Sequence, residues 1–253
     1  VRTQSGRFRS CLVAATLAQT ATWGHAATFS GIDVELAGSA TMLDADTLQL
    51  TPATDGLAGA AWATTALSTS LAFASSFEFS LTASDFHPMG DGIAFVIQAS
   101  GTNALGGGGG GIGLEGLDAV AFVIQTRDNN RLGFTDSTGF PFPAPAAPVD
   151  LGATSLFTGY LLVGYEPSIN SLSFLGGVVV DGTEHPILEV LNIDLVSRFG
   201  STVYIGFTGG TGLSYADQRV TNFTITAVPE PETYALLLAG LGLVGWQLHR
   251  RAA

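Results

Sequence analysis

Lysine is absent from this 253-residue chain, and charged residues of every kind make up only 12% of it. Five of the nine arginines lie in the first nine or last four residues. Residues 27–228 hold nineteen carboxylates against Arg127, Arg131, Arg198 and Arg219. A chain so poor in cations cannot make the phosphate contacts on which nucleic-acid affinity depends, and that class of partner is excluded. The acidity suits solubility outside the cell or the binding of cations, and charge alone does not choose between them. Cysteine is nearly missing too. Cys11 is the only one, and it stands in a stretch read below as a leader, so neither disulfide nor thiol chemistry is expected of the rest. Catalytic signatures are also wanting. There is no Gly-x-Ser-x-Gly elbow and no Glu-x-Asp-x-x-Glu pattern of the kind that pairs two carboxylates on one strand for glycoside hydrolysis. His87 beside Pro88, and His185 beside Pro186, read as turn residues rather than general bases, and Glu184 and Glu189 merely flank the second turn. No enzyme is expected.

What is present is clearest at the two ends. Arg2, Arg7 and Arg9 precede the mostly apolar stretch 11–23, and Gly24-His25-Ala26-Ala27 supplies small residues around a cleavage point. Residues 1–26 therefore read as a secretory signal peptide cut after Ala26. At the other end Val228-Pro229-Glu230-Pro231-Glu232 leads into the uncharged run 234–248, followed by His249, Arg250 and Arg251. A helix over these fifteen positions would measure about 22 Å, short of the ~30 Å hydrocarbon core, so it spans a bilayer only with thinning or snorkelling. The prolines break the chain before it, and the arginines stop it on the cytoplasmic side. Pro229-Glu230-Pro231, a short apolar helix and terminal arginines in this order resemble the PEP-CTERM sorting signal of Gram-negative bacteria. The resemblance implies export, transient anchoring in the inner membrane, recognition by an exosortase-type protease, and release to the cell surface or extracellular polymer matrix.

Between the signals the hydrophobic period is two. The segments 47–51, 77–82, 92–98, 120–126, 160–165, 171–180, 186–193, 202–208 and 220–226 are short, rich in β-branched and aromatic residues, and separated by Gly, Pro, Asn or Asp. No convincing amphipathic helix precedes the tail. The pattern predicts an all-β antiparallel sandwich or jelly roll over 27–227, with a C-terminal hydrophobic helix within 228–253. Segment 76–81 alternates, as a strand with one wet face should. Segments 92–97 and 119–124 are continuously apolar and should be covered on both faces. The proline-rich stretch 140–148 cannot be a central strand and reads as a stiff surface connector. The glycine run 106–111 lacks the Lys and Ser/Thr of a phosphate loop; it offers a backbone free to approach a ligand closely.

Four collinear segments resemble the core of the legume-type (L-type) lectins. They are Gly90-Asp91-Gly92-Ile93-Ala94-Phe95-Val96; Leu105 with the glycine run and Leu114-Glu115-Gly116-Leu117; Ala119 to Thr126 with Asn129; and Val203 to Gly212 leading into 220–225. Gly59-Ala60-Ala61-Trp62 and Phe73 to Phe79 match upstream, so the resemblance covers roughly residues 28–226. It implies a concanavalin-type curved sandwich with a shallow sugar site made by loops on the concave side.

In that family an Asp accepts from two sugar hydroxyls, a glycine-loop N–H and an Asn side chain donate, and an apolar group lies against the C–H face. A sugar both donates and accepts and has one apolar patch, so these groups must converge. The resemblance gives Asp91 the Asp role, Gly110 or Gly111 the N–H role and Asn129 the Asn role. Leu213, Ser214 and Tyr215 would form the specificity loop, and a cis peptide is implied at Gly90–Asp91. The chain departs from the family where a Glu and an Asp ligate a transition metal and Ca²⁺. Val123 and Gln125 stand there, and a neutral amide is a poor substitute for a carboxylate toward a hard cation. Asp128, Asn129 and Asp136 could rebuild a Ca²⁺ site, or form a polar turn capped by its own side chains. Two functions follow as expectations: a carbohydrate-binding lectin of the surface, exopolysaccharide or biofilm matrix, and a structural matrix sandwich that has lost its sugar. A homodimer through the back sheets is compatible with the resemblance, although no edge marks one.

Overall fold

The computed structural model describes residues 25–84, 88–127, 131–137, 156–180 and 182–227. The first 24 residues of the expected leader, the 140–148 stretch and the tail from 228 lie outside them. Among the described residues no helix is long and apolar enough to cross a membrane.

The strands in chain order are β1 (His25–Phe29), β2 (Ile32–Gly38), β3 (Thr41–Met42), β4 (Thr47–Thr51) and β5 (Ala58–Ala63). Next come β6 (Leu67–Ser68), β7 (Phe73–Ala83), β8 (Gly92–Gln98), β9 (Ala119–Gln125) and β10 (Arg131–Ser137). Last are β11 (Leu156–Glu166), β12 (Ser171–Val180), β13 (Thr183–Asn192), β14 (Thr202–Gly210) and β15 (Ala216–Ala227). One helical turn, α1 (Leu195–Phe199), precedes β14. The first sheet runs β1-β2-β5-β14-β8-β9-β10 with β6 beside β14, and the second runs β13-β12-β11-β7-β15-β4-β3. Every pairing is antiparallel.

Aromatic side chains fill the space between the sheets. Phe77 of β7 stacks on Phe95 of β8 at 5.4 Å and meets Phe207 of β14 edge-on at 4.8 Å. Phe122 of β9 lies 5.2 Å from Phe174 of β12. These pairs cross from one sheet to the other, and each adds about 0.5–1.5 kcal/mol to the burial of its area. Strand β7 alternates buried and open positions along its length, as the sequence predicts for 76–81.

Strands β8 and β9 are buried at nearly every position, and the reason is a second apolar layer. Ile93, Phe95 and Ile97 point into the main core. Ala94 and Val96 point the other way, where with Trp62, Ala121 and Val123 they meet Ile112 and Leu114 of the 104–117 loop. Successive side chains of a strand face opposite sides, so a strand covered on both sides reads as a continuous apolar run.

The structure adds strands that the periodicity does not reveal. β5, AGAAWA, is rich in alanine, which is depleted in strands; it forms because β2 and β14 flank it. β1 starts at His25, two residues before the expected mature start, and pairs from His25 with Leu36. His185 and Pro186 correct the turn assignment: they lie within β13, opposite Val178 and Gly177. Proline is tolerated because, among the described residues, β13 is the terminal strand of its sheet and the missing N–H breaks no second ladder.

Candidate carbohydrate-binding site

At one end of the first sheet, the approach to β8, the end of β9, the 106–113 loop and the β14–β15 connection converge on Asp91. The Asp91 N–H donates to Gly210 O at 3.0 Å, and its carbonyl accepts from the Thr126 N–H at 2.9 Å. Asp91 thereby extends the ladder of β8 toward both neighbours, β14 and β9. The Gly90–Asp91 peptide is cis, where the resemblance puts one. Gln218 of β15 is fully buried beneath it and donates through Nε2 to Gly210 O at 2.8 Å and Gly90 O at 3.4 Å.

Two glycine loops close on the carboxylate. Gly109 starts a single 3-10 turn at φ +58, and its N–H donates to Thr211 O at 3.0 Å. A β-carbon on Gly212 would come within 2.9 Å of Asp91 Oδ2, and one on Gly109 within 3.7 Å. Glycine is required at 212 because the carboxylate already occupies the space a side chain would take. Buried Thr211 locks the loops together: its Oγ1 donates to Thr54 O at 2.6 Å and accepts from the Leu57 N–H at 3.0 Å.

The other carboxylate oxygen faces a cation. Arg127 Nη1 lies 3.5 Å from Asp91 Oδ1; the Asp91 side chain is 0% exposed and that of Arg127 42%. The sequence-based set omits Arg127. Its signal is position: it is one of only four arginines between the two ends, two residues after Gln125.

The structure thus brings Asp91, the glycine turn and the 212–215 loop together. Leu213 stands 78% exposed at the loop's tip, Ser214 lies against Gly90, and the Tyr215 N–H donates to Pro88 O at 3.2 Å. Gly111 uses its N–H on Gly108 O at 3.1 Å within the turn, whereas among the described residues no backbone carbonyl takes that of Gly110. Asp128 and Asn129 lie outside the described residues. Asp136 pairs with Val120, five residues along β10 from Arg131, or about 16 Å.

The positions that ligate metal in the resembled family do not fit a cation here. Val123 is 6% exposed and packed in the apolar cluster with Trp62 and Leu114, so hydrocarbon stands where a ligand oxygen would be needed. Gln125 brings no charge. No group of three or more His, Cys, Asp and Glu suited to a metal occurs among the described residues.

Nor do Glu184 and Glu189 form a hydrolytic pair. Being five apart on one strand, they point to opposite faces. Glu184 accepts from Tyr160 Oη at 3.1 Å, while Glu189 accepts from the Phe134 N–H of β10 at 2.9 Å and bridges the edges of the two sheets. Burial holds the Glu189 carboxyl above its ordinary range, partly offset by that N–H.

The fold is similar to those of solved lectins and of a lectin-like protein. The lectin from Bauhinia forficata in complex with GalNAc matches with a TM-score of 0.67 and 21% identity, over 81% of this chain and 98% of that one. The Lotus tetragonolobus seed lectin matches at 0.64 and 17%, over 81% and 100%. Arcelin-5, a lectin-like defense protein from Phaseolus vulgaris, matches at 0.65 and 17%, over 83% and 100%. Residues 227–251 match the PEP-CTERM protein-sorting motif. The chain is therefore a legume-lectin-like β-sandwich followed by a PEP-CTERM sorting signal.

Proposed function

We propose that this is an exported, non-enzymatic carbohydrate-binding protein of a bacterial surface or exopolysaccharide matrix. The observation that carries the reading is the convergence of the Asp91 carboxylate with the Gly109 turn and the Gly212 loop. In that arrangement Asp91 accepts from sugar hydroxyls, the Gly110 N–H donates to one, and Leu213 or Tyr215 covers the C–H face. Asn129 belongs to the same reading as the side-chain donor, by resemblance. Acceptor, donor and apolar surface are the three elements a sugar requires. Sorting follows from the tail. Pro229-Glu230-Pro231 marks the segment for an exosortase-type protease, the 234–248 run anchors it in the inner membrane, and cleavage releases the domain. Ca²⁺ enters this reading only through a rebuilt site at Asp128, Asn129 and Asp136.

A second reading is a structural matrix sandwich without sugar binding. It is favoured by the complete burial of Asp91 and by Val123 packed in place of a carboxylate.

A broad glycan array decides between them, probed with the full chain in CaCl₂ and in EDTA beside Asp91→Ala. Binding lost in Asp91→Ala establishes the lectin. Silence from folded protein in every condition establishes the structural reading.

A further inference from the structure

We propose that Arg127 is the resident cation of this site and supplies the countercharge of Asp91, so that the site is metal-independent. The ligand half of this inference rests on the sugar-binding reading; the electrostatic half does not.

A carboxylate removed from water needs a countercharge, or its desolvation goes uncompensated. Asp91 is 0% exposed, and Arg127 Nη1 is 3.5 Å from its Oδ1. Gly109 and Gly212 lie on the Oδ2 side. Arg127 supplies positive charge at the Oδ1 side through a covalently attached group that no chelator removes. A guanidinium stays charged throughout the physiological range and holds five N–H donors in a planar fork.

The metal-ligand positions agree. Val123 has been absorbed into the hydrocarbon layer under the 104–117 loop, and Gln125 is neutral. A divalent ion placed beside Asp91 would also be repelled by the guanidinium already there. The position of Arg127 also gives it a ligand role. With 42% of its side chain exposed, Arg127 reaches solvent at the site's rim, where it can donate to a sugar hydroxyl. Asp91 and Arg127 then make a fixed acceptor–donor pair for a neutral polyol.

The test uses the full chain as wild type, Arg127→Gln, Arg127→Lys, Asp91→Asn and the Asp91→Asn/Arg127→Gln double variant. Thermal unfolding is followed in excess CaCl₂, excess MnCl₂ and EDTA. The wild-type Tm is expected to be the same in all three. Arg127→Gln should lower it by about 4 °C, a moderate value because the arginine is partly exposed. Arg127→Lys should recover most of that loss. The double variant should lose less than the two single losses added, since it leaves no orphaned charge. A wild-type Tm that rises in CaCl₂ or MnCl₂, an Arg127→Gln variant as stable as wild type, or additive losses would each overturn the proposal.

The same proteins are applied to immobilised monosaccharides. Wild-type binding unchanged by EDTA and reduced tenfold or more in Arg127→Gln supports the ligand role; wild-type binding abolished by EDTA overturns it. Silence on every sugar removes the sugar-binding reading and with it the ligand role, while the unfolding series still decides whether Arg127 is the resident cation.

Discussion

The indole N–H of Trp62 donates to the carbonyl of Ala104 at 2.8 Å, pinning the start of the glycine-rich loop to the first sheet. Trp62 is fully buried on β5, and its ring belongs to the apolar layer that receives Ile112 and Leu114 of the same loop. One side chain thus supplies both the hydrogen bond and the apolar surface that hold the loop over Ala94, Val96 and Val123.

Replacing Trp62 with Phe removes the donor and leaves the Ala104 carbonyl buried without it. The expected cost is about 1–3 kcal/mol in denaturant unfolding, with an added contribution from the smaller ring. Hydrogen exchange should accelerate in the 104–117 loop before the rest of the sheet. Uniform acceleration across all strands would mean that the contact serves global stability rather than the loop.

Gly212→Ala places a methyl group 2.9 Å from Asp91 Oδ2. Either the loop or the carboxylate must move, at about 1–3 kcal/mol. Because the displaced group is the proposed acceptor, glycan binding should fall by more than the stability loss explains. Retained binding at wild-type affinity would show that Oδ2 does not contact the ligand.

Glu189 gives the pH dependence. Its carboxyl is raised in the folded protein by burial, with the Phe134 N–H opposing, so the folded state holds this proton more tightly than the unfolded one. That contribution is complete below the unfolded value of about 4.3 and is lost as pH rises through the folded value. Glu189→Gln should flatten the decline, narrowing in acid and widening toward neutrality its gap from wild type in urea midpoint. A gap independent of pH would assign the effect to packing instead.

Removal of residues 228–253 tests the tail. The described strands end at Ala227, so the truncated chain should keep its unfolding midpoint while losing its membrane-associated stage during export. Fractionation of cells expressing both forms reads this directly. Equal membrane association of the two would sever the motif at 227–251 from anchoring.

Much of the fold is legible because its causes are local. The bounds of β4, β8 and β12 follow from runs of β-branched and aromatic residues between turn formers. The continuous apolar runs of β8 and β9 announce cover on both faces. β5 shows no hydrophobic period of its own: Trp62 and the resemblance of Gly59 to Trp62 mark it, while Ala58-Gly59-Ala60-Ala61 is extended because β2 and β14 pair with it. Pro186 misleads for the converse reason: proline marks a turn unless the strand has a free side, and the free side of β13 is a property of the whole sheet.

For the site, sequence alone places Asp91, the glycine loops and the cis peptide, because those motifs lie close together in the chain and resemble a known pattern. Sequence alone also shows the missing carboxylates at Val123 and Gln125. What it does not show is the surroundings of Asp91. That Arg127 turns toward Asp91, that Val123 joins the layer beneath the glycine loop, and that Gly212 must be bare are facts of tertiary contact. They depend on β8, β9 and β14 meeting side by side, which brings residues 36 and 121 positions apart in the chain to one buried carboxylate.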